Sequence, residues 1–197
     1  EIDSKAVDIV ASDNRAGMRQ AVTHLITLGH RRIAYLAGPA GRANRAKLAG
    51  YFEALRSAGI EPDERWIIPS DDLHPASGYR AAAKMLELVP QVTAVVARVD
   101  QLALGALACF VERGLRVPQD ISVVGYDNLE LGAYAQPRLT SVAFAWESQA
   151  ATAVEHLLQK MEAMKKGTGW TPRTRLLPAR LVVRDSSGPA PDQAFDR

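Results

Sequence analysis

Along this chain, short and nearly continuous apolar runs alternate with longer stretches in which apolar residues recur every third or fourth position. The runs RIAYLAG (32–38), RWIIP (65–69), TAVVA (93–97) and ISVVG (121–125) read as strands. Strands of a parallel sheet covered on both faces have no polar side, so they lack alternation. Between the runs, Ala21, Val22, Leu25 and Ile26 share one helical face. So do Leu48, Tyr51, Phe52 and Leu55, then Tyr79, Ala82, Ala83 and Leu86, then Leu102, Ala106, Leu107 and Phe110. Gly29, Gly59 and Gly114 each follow a helical stretch at the place where a left-handed cap is needed.

The strands begin at residues 33, 65, 93 and 121, so successive starts lie roughly 30 residues apart, the length of a strand plus one crossover helix. This spacing predicts a doubly wound parallel α/β sheet, with ligands beyond the carboxyl ends of its strands. Past residue 127 the rhythm changes. NLELGAYAQPRLTSVAF is irregular with a short strand, and WESQAATAVEHLLQKMEAMKKG is one amphipathic helix with Ala150, Val154, Leu157, Leu158 and Met161 expected inward. TRLLPARLVVRD is an extended pair broken at Pro178, and the polar tail at 188–197 is expected to be disordered.

Composition narrows the class. With 47% hydrophobic and 23% charged residues in 197, the chain can bury a real core. No apolar stretch reaches the roughly 20 residues of a membrane helix, and the first residues lack a basic segment followed by an apolar one. A cytoplasmic protein is the expectation. Cys109 is the only cysteine, which fits a buried structural thiol rather than a disulfide framework. A net charge of +2 with scattered Lys and Arg, and no helix-turn-helix pattern, gives no nucleic-acid surface of its own.

Catalytic signatures are missing too. There is no phosphate loop, no nucleophile elbow, no dinucleotide fingerprint and no zinc-binding pair of histidines, so no enzyme, cofactor or metal site is expected. What remains is polar residues at strand ends: Asp13 and Asn14, Arg45 and Lys47, Asp100, and Asp127. Carboxylates accept and amides, Lys and Arg donate, as sugar hydroxyls require. The competing reading is that they cap the following helices. For Asp100, directly before a helix, capping is favoured; for Asp127, with no clear helix next to it, binding is favoured.

HLITLGHRRIAYLAGP, KLAGYFEAL, TAVVARVDQLALGAL, RGLRVPQDISVVGYDN, PRLTSV and LLPARLVVRDS together resemble the effector-binding and dimerising core of LacI/GalR-family bacterial transcription regulators, in family order from about residue 6 to 187. The resemblance implies the periplasmic-binding-protein type I fold: two α/β lobes with the effector held between them. On that pattern residues 17–143 and 179–187 form the carboxyl-terminal lobe, and 1–16 and 144–178 are pieces of the other. The family's DNA-binding headpiece, hinge helix and most of its first lobe are expected to lie outside this chain, so the helix from 146 loses the sheet that would cover it. The implied function is sensing of a small polar effector, carbohydrate or related metabolite, by a homodimer that reads DNA only through the headpiece and has no membrane contact. A transporter's solute-binding protein is the rival with the same fold.

Carrying the family's site across exposes departures. Its usual Arg is Lys47 here, a point charge in place of a two-pronged donor. The Asn of its A-N-D motif is Val99, and a frequent aromatic is Leu73. Asp127 matches its counterpart without qualification.

Overall fold

A computed structural model describes residues 7–39 and 41–191 of the 197-residue chain. In chain order its elements are β1 (Ile9–Ser12), α1 (Asn14–Thr27), β2 (Ile33–Leu36), α2 (Arg42–Ser57), β3 (Ile67–Ile68), α3 (Pro75–Leu88) and β4 (Ala94–Ala97). These are followed by α4 (Asp100–Glu112), β5 (Ser122–Tyr126), α5 (Glu130–Tyr134), β6 (Thr140–Phe144), α6 (Trp146–Lys166), β7 (Thr174–Leu177) and β8 (Ala179–Val182). The larger sheet has the order β3-β2-β4-β5-β6-β8. The neighbours from β3 through to β6 all pair in parallel.

Local chemistry explains the regularity. The runs at 33–36, 94–97 and 122–126 are wholly buried, as two-sided strands must be. Three helices end in the same way. Gly29, Gly59 and Gly114 take positive φ of 92°, 67° and 74°. The amide one residue further on then reaches back to the carbonyl of Leu25, Leu55 or Phe110 at 3.1, 2.9 and 2.9 Å. Helix α1 packs on α2, and α3 on α4. The second pairing is close enough that a Cβ on Gly78 would lie 2.3 Å from the Leu102 carbonyl oxygen. The core beneath holds Leu36, Met85, Val95, Leu102, Phe110, Val123 and Leu139, together with Cys109.

Three expectations for residues 14–143 and 180–197 need correction. The run at 65–69 is not a full strand: Glu64–Trp66 is a single 3-10 turn and only Ile67 and Ile68 pair, at the sheet's edge. Asp63 captures this segment, accepting the Arg65 amide at 2.9 Å and its guanidinium at 2.8 Å, and this local bonding competes with the ladder. The stretch after 127 contains a helix, α5, too short to show a period. The tail expected to be disordered from 188 is docked over its first residues. His30 Nε2 donates to the Gly188 carbonyl at 3.0 Å, and the Ala190 amide to that of Leu28 at 2.8 Å. The last six positions, 192–197, lie outside the described residues.

The chain divides into two compact units, residues 14–143 with 180–197 and residues 1–13 with 144–179. In the smaller unit β1 pairs in parallel with β7. Asp8 accepts from the Trp170 indole at 2.8 Å and the Arg173 amide at 2.9 Å. Helix α6 has no buried residue. Ala150, Val154, Leu157, Leu158 and Met161, expected inward, are exposed, because two described strands present too little surface to cover a 21-residue helix.

Candidate functional site

In the larger unit the strand order reverses between β2 and β4: the chain leaves β2 for the edge strand β3 and then returns to the other side of β2. Loops after such neighbouring strands diverge and open a crevice at their carboxyl ends. Three features meet at this rim, namely the turn and helix after β2, Arg98 after β4, and Asp127 after β5.

Lys47 comes from the second turn of α2, four residues before the buried Tyr51, so the face that seats Tyr51 in the core also draws Lys47 in. Its side chain is 5% exposed. The Nζ donates to the Arg98 carbonyl at 2.7 Å, lies 3.5 Å from the centre of the Tyr126 ring, and stands 3.9 Å from Asp127 Oδ1. That last distance is too long for a direct hydrogen bond. Burial pushes the Lys47 ammonium down to about 8, against the pull of Asp127. Burial likewise pushes the Asp127 carboxyl up to about 6, against Lys47 and Arg98. For both groups, loss of water outweighs the partner's attraction. The rim thus holds a donor and an acceptor whose opposite charges are incompletely satisfied by each other.

Arg98 borders the pair. Its Nη1 donates to the Pro39 carbonyl, which also accepts from Asn44 Nδ2 at 3.4 Å. Asn44 is fixed in turn by the Tyr35 hydroxyl, which donates to its Oδ1 at 2.7 Å. Gly38, at φ 64°, makes room: a Cβ there would lie 2.6 Å from Leu73 Cδ2 and 3.3 Å from Arg98 Cδ. Leu73 therefore sits beside the loop that follows β2.

Asp127 lies in a turn where it and Asn128 both have positive φ, 108° and 52°. The Asp127 amide donates to the Val142 carbonyl at 2.8 Å, and the Asn128 amide to Ser141 Oγ at 3.0 Å. Asp100 corrects the capping expectation. It is the first residue of α4, the cap position before it being Val99, and it is fully buried with its described hydrogen bonds directed away from the helix end. Its Oδ1 accepts from the Ser141 hydroxyl and its Oδ2 from the Leu129 amide, both at 2.6 Å. Burial raises this carboxyl to about 6, although both hydrogen bonds oppose the rise. With both oxygens engaged inside the protein, Asp100 stands behind the rim and supports the turn.

The remaining candidates have no described contact with the Lys47–Asp127 pair. Asp13 belongs to the smaller unit, where its amide donates to the Leu177 carbonyl at 2.8 Å. Asn14 opens α1, and Arg45 is exposed near the start of α2. The structure thus brings Lys47 and Asp127 together and sets Leu73 beside Arg98, a residue the sequence reading passed over. A charged side chain directly after a wholly buried four-residue strand was the signal for it.

Comparison with known proteins gives this arrangement a context. A periplasmic binding protein-like domain family matches residues 22–187. An HTH-type transcriptional repressor PurR from Escherichia fergusonii is 36% identical over 198 residues, covering 100% of this chain and 57% of the relative. The chain thus spans a little over half the length of that relative. A transcriptional regulator CelR in complex with cellobiose superposes with a TM-score of 0.86 at 37% identity, covering 94% of this chain and 56% of the other. A transcriptional regulator of LacI family from Sanguibacter keddieii does so with a TM-score of 0.85 at 36% identity, covering 92% and 67%.

Proposed function

This chain belongs to the LacI family of transcriptional regulators, within the periplasmic binding protein-like domain family, and from that premise we propose that its larger unit senses a small polar effector, a sugar or related metabolite, at the Lys47–Asp127 rim. The observation that carries the reading is the pair itself: a buried ammonium from the helix after β2 and a partly exposed carboxylate after β5, 3.9 Å apart beyond the carboxyl ends of the two strands that flank β4. A ligand hydroxyl can donate to Asp127 while a ring or hydroxyl oxygen accepts from Lys47, replacing the water that each has lost. The cellobiose in the CelR complex supports the carbohydrate class.

DNA reading by a headpiece outside this chain, and assembly as a homodimer through surfaces of the larger unit, belong to the same proposal. Regulation is favoured over transport because the matched relatives are transcription regulators at more than a third sequence identity. Thermal-shift screening of a panel of mono- and disaccharides that includes cellobiose tests it, using a protein that carries this chain at the length of its relatives. At least one member should raise the melting temperature of the wild type and have little effect on Lys47→Met. Equal shifts in both proteins would remove Lys47 from the site.

A further inference from the structure

We propose that Asp100, Ser141 and Arg184 are positioning residues that hold the Asp127–Asn128 turn in an unfavourable backbone conformation and so fix where Asp127 presents its carboxylate. Its functional meaning rests on the reading of Asp127 as the effector's acceptor; its structural content does not. Two consecutive residues with side chains at positive φ persist only where their surroundings over-determine them.

Here each group of the turn is tied down separately. Three successive amides, of Asp127, Asn128 and Leu129, donate to the Val142 carbonyl, Ser141 Oγ and Asp100 Oδ2 at 2.8, 3.0 and 2.6 Å. The Ser141 hydroxyl in turn donates a hydrogen bond to Asp100 Oδ1 at 2.6 Å, so one buried carboxylate organises two of the three amides. Arg184 closes the far side, its Nη2 donating to Asn128 Oδ1 at 2.7 Å and its Nη1 to the Leu139 carbonyl at 2.6 Å.

A fully buried acid is costly unless its oxygens are matched, and every described hydrogen bond of Asp100 goes either to the turn or to the serine that holds it. Room for it is built in, since a Cβ on Gly125 would lie 2.1 Å from Asp100 Oδ1. Ser141 stands two residues before the larger unit's first segment ends, and Arg184 four residues after its second segment begins. The turn is therefore bonded to β6 and to the residues just past β8, near where each segment of the larger unit joins the rest of the chain.

The test follows the Asp127 carboxyl by carbon NMR titration, together with amide hydrogen exchange at Asn128 and Leu129, in the whole chain. The charges near Asp127 are Lys47 from α2, Arg98 after β4 and Asp100 from α4. Arg184→Lys changes none of them, whereas Ser141→Ala also removes a bond that holds the Asp100 carboxyl down, so the Asp100 midpoint is followed in the same titration. In both variants the raised Asp127 midpoint should fall by about one pH unit toward the ordinary carboxylate range. The two amides should exchange about tenfold faster or more, and Ser141→Thr should restore both readings.

Midpoints and exchange rates unchanged in both variants would overturn the proposal. Should buried Ser141→Ala fail to fold, the half-buried Arg184→Lys still decides. If Asp127→Asn leaves sugar affinity untouched while Ser141→Ala moves the Asp127 midpoint, the effector reading falls and the positioning network stands.

Discussion

The two units carry the same kind of sequence pattern and reach different ends. In the larger, the apolar faces of α3 and α4 meet each other and the sheet, and Met85, Leu102 and Phe110 are fully buried. In the smaller, α6 has an equally regular apolar face, yet Leu157 is 57% and Met161 48% exposed. Periodicity shows that a helix has a face to bury; it does not show that the partner is present. The burial that stabilises a helix comes from tertiary packing, and α6 has two described strands for company. A contiguous apolar surface of this kind marks a contact region.

The sharpest way to break this contrast is to cut both faces alike. Phe110→Ala should destabilise by about 3–5 kcal/mol in urea unfolding, through lost transfer energy and a residual cavity. Leu157→Ala removes apolar atoms that already face water and should stay within about 0.5 kcal/mol. Comparable losses would mean that α6 is covered in solution.

Acidity sharpens the contrast on a smaller scale. The Asp127 carboxyl is raised to about 6 in the folded chain, so the folded state holds its proton more tightly than the unfolded one. Stability from this group therefore rises as pH falls through 6 and levels off near the unfolded value of about 3.9. Relative to Asp127→Asn, the wild type should gain about 1 kcal/mol between pH 7 and 5. Asp8 of the smaller unit has the opposite sign. Burial tends to raise its carboxyl, but bonds from the Arg173 amide and Trp170 hold it below the usual range. Its contribution is present above the ordinary carboxylate midpoint and lost on acidification. Denaturant midpoints at several pH values check both signs.

The larger unit was legible where local rules and tertiary structure agree. β2, β4 and β5 are unbroken apolar runs, and Gly29, Gly59 and Gly114 mark helix ends that no side chain with a Cβ would take as readily. β3 was not legible, because Asp63 and Arg65 bind each other within three residues and leave only two for the ladder. Asp127 could be found from its place after a buried strand. Asp100 looked like a cap because it stands before a helix, while its partners Leu129 and Ser141 lie 29 and 41 residues away. Only the fold brings them together. Arg98 was obscured for a similar reason: its role depends on Pro39 and Lys47, which belong to another strand's loop and helix.

Effector sensing at this rim depends on Asp127 as the acceptor. Isothermal titration decides it, with the panel sugar that raises the melting temperature most, comparing wild type and Asp127→Asn at the length of the chain's relatives. Replacing the carboxylate leaves ligand hydroxyls without their acceptor, and affinity should fall roughly ten- to hundredfold, about 1–3 kcal/mol. Equal affinities in the two proteins, with the same heat and stoichiometry, would contradict the claim that the Lys47–Asp127 rim is where the effector is sensed.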